Sequence, residues 1–166
     1  MNPSFQKITD KIQSWNEAQA TVKAWQEQGD KVVFTNGCFD LIHYGHLKYL
    51  AEAADLGTKL IVALNAPASI QRLKGTHRPI KDRESRMHLM ASLSFVDLVL
   101  EFEQDTPLEL IQTVLPDVLV KGGDWAIDQI VGSDVVLENG GTVQSLSFVD
   151  GYSTTSIEQK IIRLHQ

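Results

Sequence analysis

The sequence predicts an α/β fold: a Rossmann-like, doubly wound parallel sheet of about five strands with helices on both faces. Three observations predict it. Short β-branched runs such as KVVFT, KLIVAL and DVLV lack polar alternation, as strands covered on both faces do. Stretches with apolar residues three and four apart separate these runs. Gly, Pro and Asn-Gly breaks fall between the two kinds of segment.

In chain order, residues 7–28 read as one helix, with Ile8, Ile12, Trp15, Ala18, Val22 and Trp25 on one face and Gly29-Asp30 ending it. Residues 31–35 form a buried strand that Asn36-Gly37 breaks. Residues 44–56 are helical through Leu47, Leu50, Ala51 and Ala54, and Gly57 stops them. Residues 59–64 are the second strand. Residues 82–93 form a helix with Arg83, Glu84 and Arg86 outward and Met87, Met90 and Leu93 inward. Residues 96–101 are strand-like. A helix follows to about Leu115, with Thr106 as N-cap and Pro107 at its first position, and Pro116 ends it. Residues 117–120 and 142–146 supply the fourth and fifth strands, and residues 155–164 the closing helix. No internal repeat, linker or low-complexity segment interrupts the pattern.

At 166 residues the chain fits a single domain. Its expected organisation is an N-terminal helical segment, 1–30, packed on a main domain, 31–166. With 43% hydrophobic and 22% charged residues it has an ordinary globular composition. The net charge of −6 argues against nucleic acid as a partner, so positive charge for anionic ligands must be concentrated locally. The lone Cys38 allows no internal disulfide. Residues 1–10 lack a signal-peptide core, and no apolar run reaches the ~20 residues that span a bilayer. A cytoplasmic location without a membrane partner is expected.

The segment TNGCFDLIHYGH, residues 35–46, follows the first strand and so lies at the carboxyl edge of the sheet, where such folds bind ligands. Asn36-Gly37 lets the backbone turn and approach a ligand. His43 and His46 open the next helix with Gly45 between them, beside free backbone N–H groups that favour anions. This makes a phosphate cradle without a P-loop; no GxxxxGK[ST] occurs. The bland reading of a single histidine there is a cap or surface residue. Cys38, His43 and His46 could instead ligate zinc, but no second Cys/His cluster completes a set, and no metal site is assigned. Cys38 reads as a small packed residue, since no partner base is evident.

Lys121, Gly122, Gly123, Asp124 and Trp125 follow the fourth strand, again at a carboxyl end. Paired glycines permit close approach and Asp124 offers an acceptor; alone, the string could be an ordinary loop. Tyr152, Ser153, Thr154 and Thr155 precede the last helix, where Thr155 and Glu158 fit a capping box. A capped N-terminus rich in hydroxyls also binds phosphate. The loop at residues 73–80 carries Lys74 and Arg78, the local positive charge sought, and could close over a triphosphate.

The string His43-Tyr44-Gly45-His46 resembles the HxGH signature of the cytidylyltransferase-like nucleotidyltransferase superfamily. Within it, residues 31–162 resemble the adenylyltransferase part of the ADP-heptose synthase family through FTNGCFDLIHYGH, RLKGTHRPI, DTPLELI, PDVLVKGGDW, IVG and GYSTTSI. The resemblance implies transfer of AMP from ATP to D-glycero-β-D-manno-heptose 1-phosphate, with Mg²⁺ arriving on the triphosphate. His43 and His46 would stabilise charge. Thr35, Asn36, Gly37, Phe39 and Asp40 would shape the nucleotide pocket, with Lys121 also among the nucleotide-binding residues; Lys48, Lys74 and Arg78 would contact phosphates or substrate. Asp124 beside Gly123 would help select the nucleoside, and the string from Tyr152 to Thr155 would close the nucleotide site. Asn65 keeps the first position of the family's Asn-Ser-Asp, whereas Ala66-Pro67 replaces the rest. Many relatives carry a sugar kinase domain before this part, so a stand-alone form with a separate heptose kinase in the pathway is expected. A cytidylyltransferase for glycerol 3-phosphate is the alternative; it usually carries an Arg just before its closing motif, where this chain reads Ser147-Phe148-Val149-Asp150. A nucleotide-binding module without chemistry is the alternative from another class. Trp15 and Trp25 could pack on the core or form a dimer contact, leaving a homodimer open.

Overall fold

The computed structural model describes residues 2–165. Among the described residues a five-stranded sheet runs β3-β2-β1-β4-β5, every pairing parallel. Its strands are β1 (Val32–Gly37), β2 (Lys59–Asn65), β3 (Leu98–Phe102), β4 (Val118–Gly122) and β5 (Thr142–Leu146). The helices are α1 (Pro3–Thr9), α2 (Trp15–Glu27), α3 (Tyr44–Ala54), α4 (Pro67–Lys74), α5 (Arg83–Ser92), α6 (Leu108–Val114), α7 (Ser133–Glu138) and α8 (Thr154–Leu164), with a short 3-10 turn at Ile127–Gln129. The expected Rossmann-like sheet with helices on both faces is present.

Alternation along the strands divides the core in two. Val32, Phe34, Ile61, Ala63 and Leu119 point to the face covered by α2, α6 and α7. Val33, Val62, Leu64, Val118 and Val120 point to the face covered by α3 and α5. The order reverses between β1 and β4, where a crevice opens beyond their carboxyl ends.

The single N-terminal helix expected over 7–28 is two helices on opposite faces. Ile8 and Ile12 pack with the α3/α5 core, whereas Trp15, Ala18, Val22 and Trp25 pack with the α2/α6 core. Between them the chain crosses the edge of the sheet. Ile12 bridges Val99, and Lys11 accepts from Val99 N at 2.8 Å. Ser14 and Glu17 then form a capping box that starts α2 afresh. The continuous three–four spacing thus merges two apolar stripes. Trp15 also donates to Glu101 O at 2.7 Å, and Lys59 lies over the Trp25 ring, so both indoles are used within the chain.

Other expectations are corrected. Arg86 is not outward; it is 1% exposed, because its guanidinium finds carbonyl acceptors inside the protein. Thr106 does not cap α6: Pro107 is the N-cap, without a side-chain cap bond. The capping box of α8 is Ser153 with Ser156, not Thr155 with Glu158. The loop expected over 73–80 begins inside α4, which Ala66-Pro67 starts, with Pro at the first helical position. Helix α7 was not expected.

Candidate active site

A cleft of about 820 Å³ lies at the carboxyl ends of the strands. Its floor comes from the turn after β1. Thr35 is fully buried, and its hydroxyl meets Tyr49 Oη at 2.5 Å. Burial first of all pushes the Tyr49 phenol up to about 12, so it serves as a neutral anchor for the turn. Phe39 sits at φ 44°, a left-handed conformation, with its ring buried and edge-on to His46 at 5.5 Å between centroids.

His43 is the N-cap residue of α3 and His46 lies in its first turn. Their rings stack at 3.9 Å between centroids. A Cβ at Gly45 would lie 3.1 Å from His43 Nδ1 and 3.2 Å from Tyr152 Cβ, so a bare residue fits between the histidines. His46 lines the cleft, and His43 packs behind it against Tyr152. Both Nδ1 atoms are buried and find no hydrogen-bond partner among the described residues. The Nε2 side of His46 is the side left for a ligand. Burial lowers the pKa of His43. Burial, followed by the charges of His43 and Lys74, lowers His46 to about 4. Both rings are therefore neutral at pH 7, ready to gain charge beside a polyanion.

Asp40 is not free for a ligand. It accepts from Ile80 N at 2.7 Å and Lys81 N at 2.8 Å, and pairs with Arg78 at 3.3 Å. Burial pushes its carboxyl up, but these donors outweigh it and hold the group below its usual value. Arg78 also pairs with Glu158 of α8 at 2.5 Å, tying the segment before α5 to the closing helix. Arg86 donates to Cys38 O at 3.0 Å through Nε and to Asn65 O at 2.7 Å through Nη2. It joins the β1 turn to the end of β2. Sequence reasoning missed this role, since a charged residue on an amphipathic helix reads as solvated.

Of the residues singled out from sequence, Asn36, Gly37, Phe39, Asp40, His46, Asn65, Lys74, Arg78, Lys121, Thr154 and Thr155 line the cleft. Thr35 lies beneath it. Lys48 does not line the cleft and pairs with Glu52 at 3.4 Å. Gly123 (φ 109°) turns the chain after β4 beneath Phe148, and Asp124 accepts from Ser147 Oγ at 3.1 Å. Ser153 accepts from Ser156 N as the cap of α8, leaving Thr154 and Thr155 toward the cleft. The structure adds Gln129, which the sequence did not mark, and brings Asp105, Thr106, Pro107, Trp125 and Val131, marked only within longer strings, into the cleft lining. Among the described residues no group of three His, Cys, Asp or Glu could hold a metal ion. No helix is long and apolar enough to cross a membrane.

The cytidylyltransferase-like family model matches residues 34–160. The chain is 51% identical over 153 residues to the bifunctional protein HldE of Magnetococcus marinus, covering 92% of this chain and 31% of that protein. It is 48% identical to the bifunctional protein HldE of Geobacter sulfurreducens, covering 93% and 32%. The chain thus spans about a third of the length of the curated relatives it matches. Among solved structures, a lipopolysaccharide core biosynthesis protein from Thermoplasma volcanium superposes with a TM-score of 0.58 at 28% identity, covering 75% of this chain and all of that one.

Proposed function

The chain belongs to the cytidylyltransferase-like family and is a nucleotidyltransferase; from that premise we propose that it transfers AMP from ATP to a sugar 1-phosphate, D-glycero-β-D-manno-heptose 1-phosphate, giving ADP-heptose for surface glycan synthesis. The observation that carries the reading is the stacked His43–His46 pair at the start of α3, in a cleft over the β1–β4 crevice. The strings shared with the ADP-heptose synthase family and the HldE relatives support the choice of sugar.

A phosphate oxygen of the sugar attacks the α-phosphorus of ATP in line. The new P–O bond forms as the bond to the bridging α–β oxygen breaks, and pyrophosphate leaves with that electron pair. No covalent enzyme intermediate is needed, so catalysis is positioning and charge stabilisation. His46, backed by His43, meets charge growing on the phosphates. Lys74 adds positive charge nearby, and Thr154 and Thr155 at the N-terminus of α8 seat a phosphate. Asn36, Gly37, Gly123, Asp124 and Tyr152 frame the nucleoside. The carboxylates of Asp40 and Asp105 are engaged by arginines, so among the described residues the cleft offers no carboxylate cage for Mg²⁺. Magnesium belongs to the substrate, as MgATP. The cytoplasm is the setting for this reaction, with a separate heptose kinase in the same pathway.

Pyrophosphate release tests the proposal, with MgATP or MgCTP, each paired with heptose 1-phosphate or glycerol 3-phosphate. Release with ATP and the heptose phosphate alone is expected. Turnover of CTP with glycerol phosphate would overturn the substrate assignment and keep the chemistry.

A further inference from the structure

The cleft has two walls, one rising from each face of the sheet, and the histidines belong to only one. Val118 and Val120 of β4 enter the core beneath α3 and α5, whereas Leu119 enters the core beneath α2 and α6. Alternation therefore directs Lys121 to the α2/α6 side. Two segments line the cleft on that side: Asp105–Pro107, which leads into α6, and Gln129–Val131, which leads into α7. Ile130 is anchored in the α2/α6 core, while Gln129 and Val131 beside it stay exposed.

Lys121 is half-buried, and among the described residues no carboxylate pairs with it. The other cleft cations are engaged or lie elsewhere. Arg78 is held between Asp40 and Glu158. Lys74 ends α4, which follows β2, whereas Lys121 stands at the end of β4, two strands along in the sheet order. The cleft thus holds two separate positive centres. In-line displacement places nucleophile and leaving group on opposite sides of the phosphorus, so two anionic substrates need two facing anion seats.

Resting on the nucleotidyltransferase reading, we propose that Lys121, Asp105, Thr106 and Gln129 form the acceptor subsite, which takes a phosphorylated sugar. The Lys121 ammonium receives the acceptor's phosphate opposite His46. The Thr106 hydroxyl, the Gln129 amide and the Asp105 oxygen not used by Arg72 meet sugar hydroxyls. Ile130 and Val131 pack against the carbon skeleton.

Steady-state pyrophosphate release from Lys121→Met and Gln129→Ala, varying each substrate against saturating partner, tests the assignment. Lys121→Met should raise the KM for heptose 1-phosphate about 10–100-fold, as loss of a charge-assisted phosphate contact does, with the KM for ATP within about twofold of wild type. Gln129 is exposed, so its alanine variant folds as wild type does and raises the acceptor KM by a smaller factor, about threefold. An unchanged acceptor KM in both variants, or a rise in the ATP KM instead, overturns the subsite. Equilibrium dialysis of labelled heptose 1-phosphate without nucleotide separates the two failures. No turnover by wild type, with the sugar phosphate still retained by wild type and lost by Lys121→Met, sinks the reaction and keeps the subsite. Equal retention by both proteins sinks the subsite.

Discussion

The two walls of the cleft are built in opposite ways. The histidine wall is one contiguous stretch: strand β1, the turn through Phe39, and the first turn of α3. Its parts are packed tightly enough to lower His46 to about 4 and to bring a Cβ added at Gly45 within 3.1 Å of His43 Nδ1. The facing wall is assembled from three short pieces, Asp105–Pro107, Lys121 and Gln129–Val131, supplied by two loops and a strand end and mostly exposed. Holding the phosphates of a nucleotide demands fixed geometry, which a continuous segment on a helix N-terminus provides. Recognising an acceptor demands shape, which dispersed loop residues can vary without disturbing the core.

If the division holds, removing a histidine should strike turnover rather than acceptor binding. His46→Ala is expected to lower kcat about 10²–10³-fold, roughly 3–4 kcal/mol of transition-state stabilisation, with the acceptor KM little changed. His43→Ala should do the same through the ring it supports. Equal loss in acceptor KM would erase the distinction between the walls. The same residue shapes acid stability. His46 titrates near 4 in the fold, below the ordinary 6.5, because burial disfavours its charged form. The unfolded chain thus binds the proton more readily. The stability is complete above about pH 6.5 and is lost as pH falls towards 4. Urea midpoints at pH 7 and pH 5 should differ less in His46→Ala than in wild type.

Arg86 sharpens the comparison because it holds only the histidine wall, tying its turn to the neighbouring strand. It ties Cys38 O in the β1 turn to Asn65 O at the end of β2. Arg86→Met keeps the stem but leaves those buried carbonyls unpaired. A loss of about 3 kcal/mol in urea unfolding is expected, together with reduced kcat as the turn carrying Phe39 loosens. A variant as stable as wild type would show that the turn is held by Tyr49 and Asp40 alone.

What could be read from the sequence follows the same division. Strands β1, β2 and β4 were legible because each carries a short run of apolar residues, and the motif from Thr35 to His46 because it is contiguous. The facing wall was legible only as the separate strings DTPLELI, KGGDW and IVG, since only the sheet order brings Asp105, Thr106, Lys121 and Gln129 to one cleft. Arg86 was misplaced because helical periodicity reports where a side chain points, not whether carbonyls await it. The N-terminal helix was misread for a related reason: Ile8 and Ile12 on one face of the sheet and Trp15 to Trp25 on the other keep the phase of a single stripe. Ser14-x-x-Glu17, a capping box within that stripe, was the available signal for the break.

The smallest expected effect concerns α8, which closes the cleft. No residue of α8 is buried, so the helix is held by its cap and by the Glu158–Arg78 pair rather than by packing. Ser153 provides the cap by accepting from Ser156 N at 3.1 Å, and its loss costs about 1 kcal/mol of helix stability. Because so little of the core depends on α8, Ser153→Ala should leave the melting temperature nearly unchanged. It should instead raise the KM for ATP about fivefold, by fraying the turn that carries Thr154 and Thr155 to the cleft. The acceptor KM should stay put. A matching rise there would mean that α8 serves both substrates, and the two walls would have to be regarded as one site closed by a shared helix.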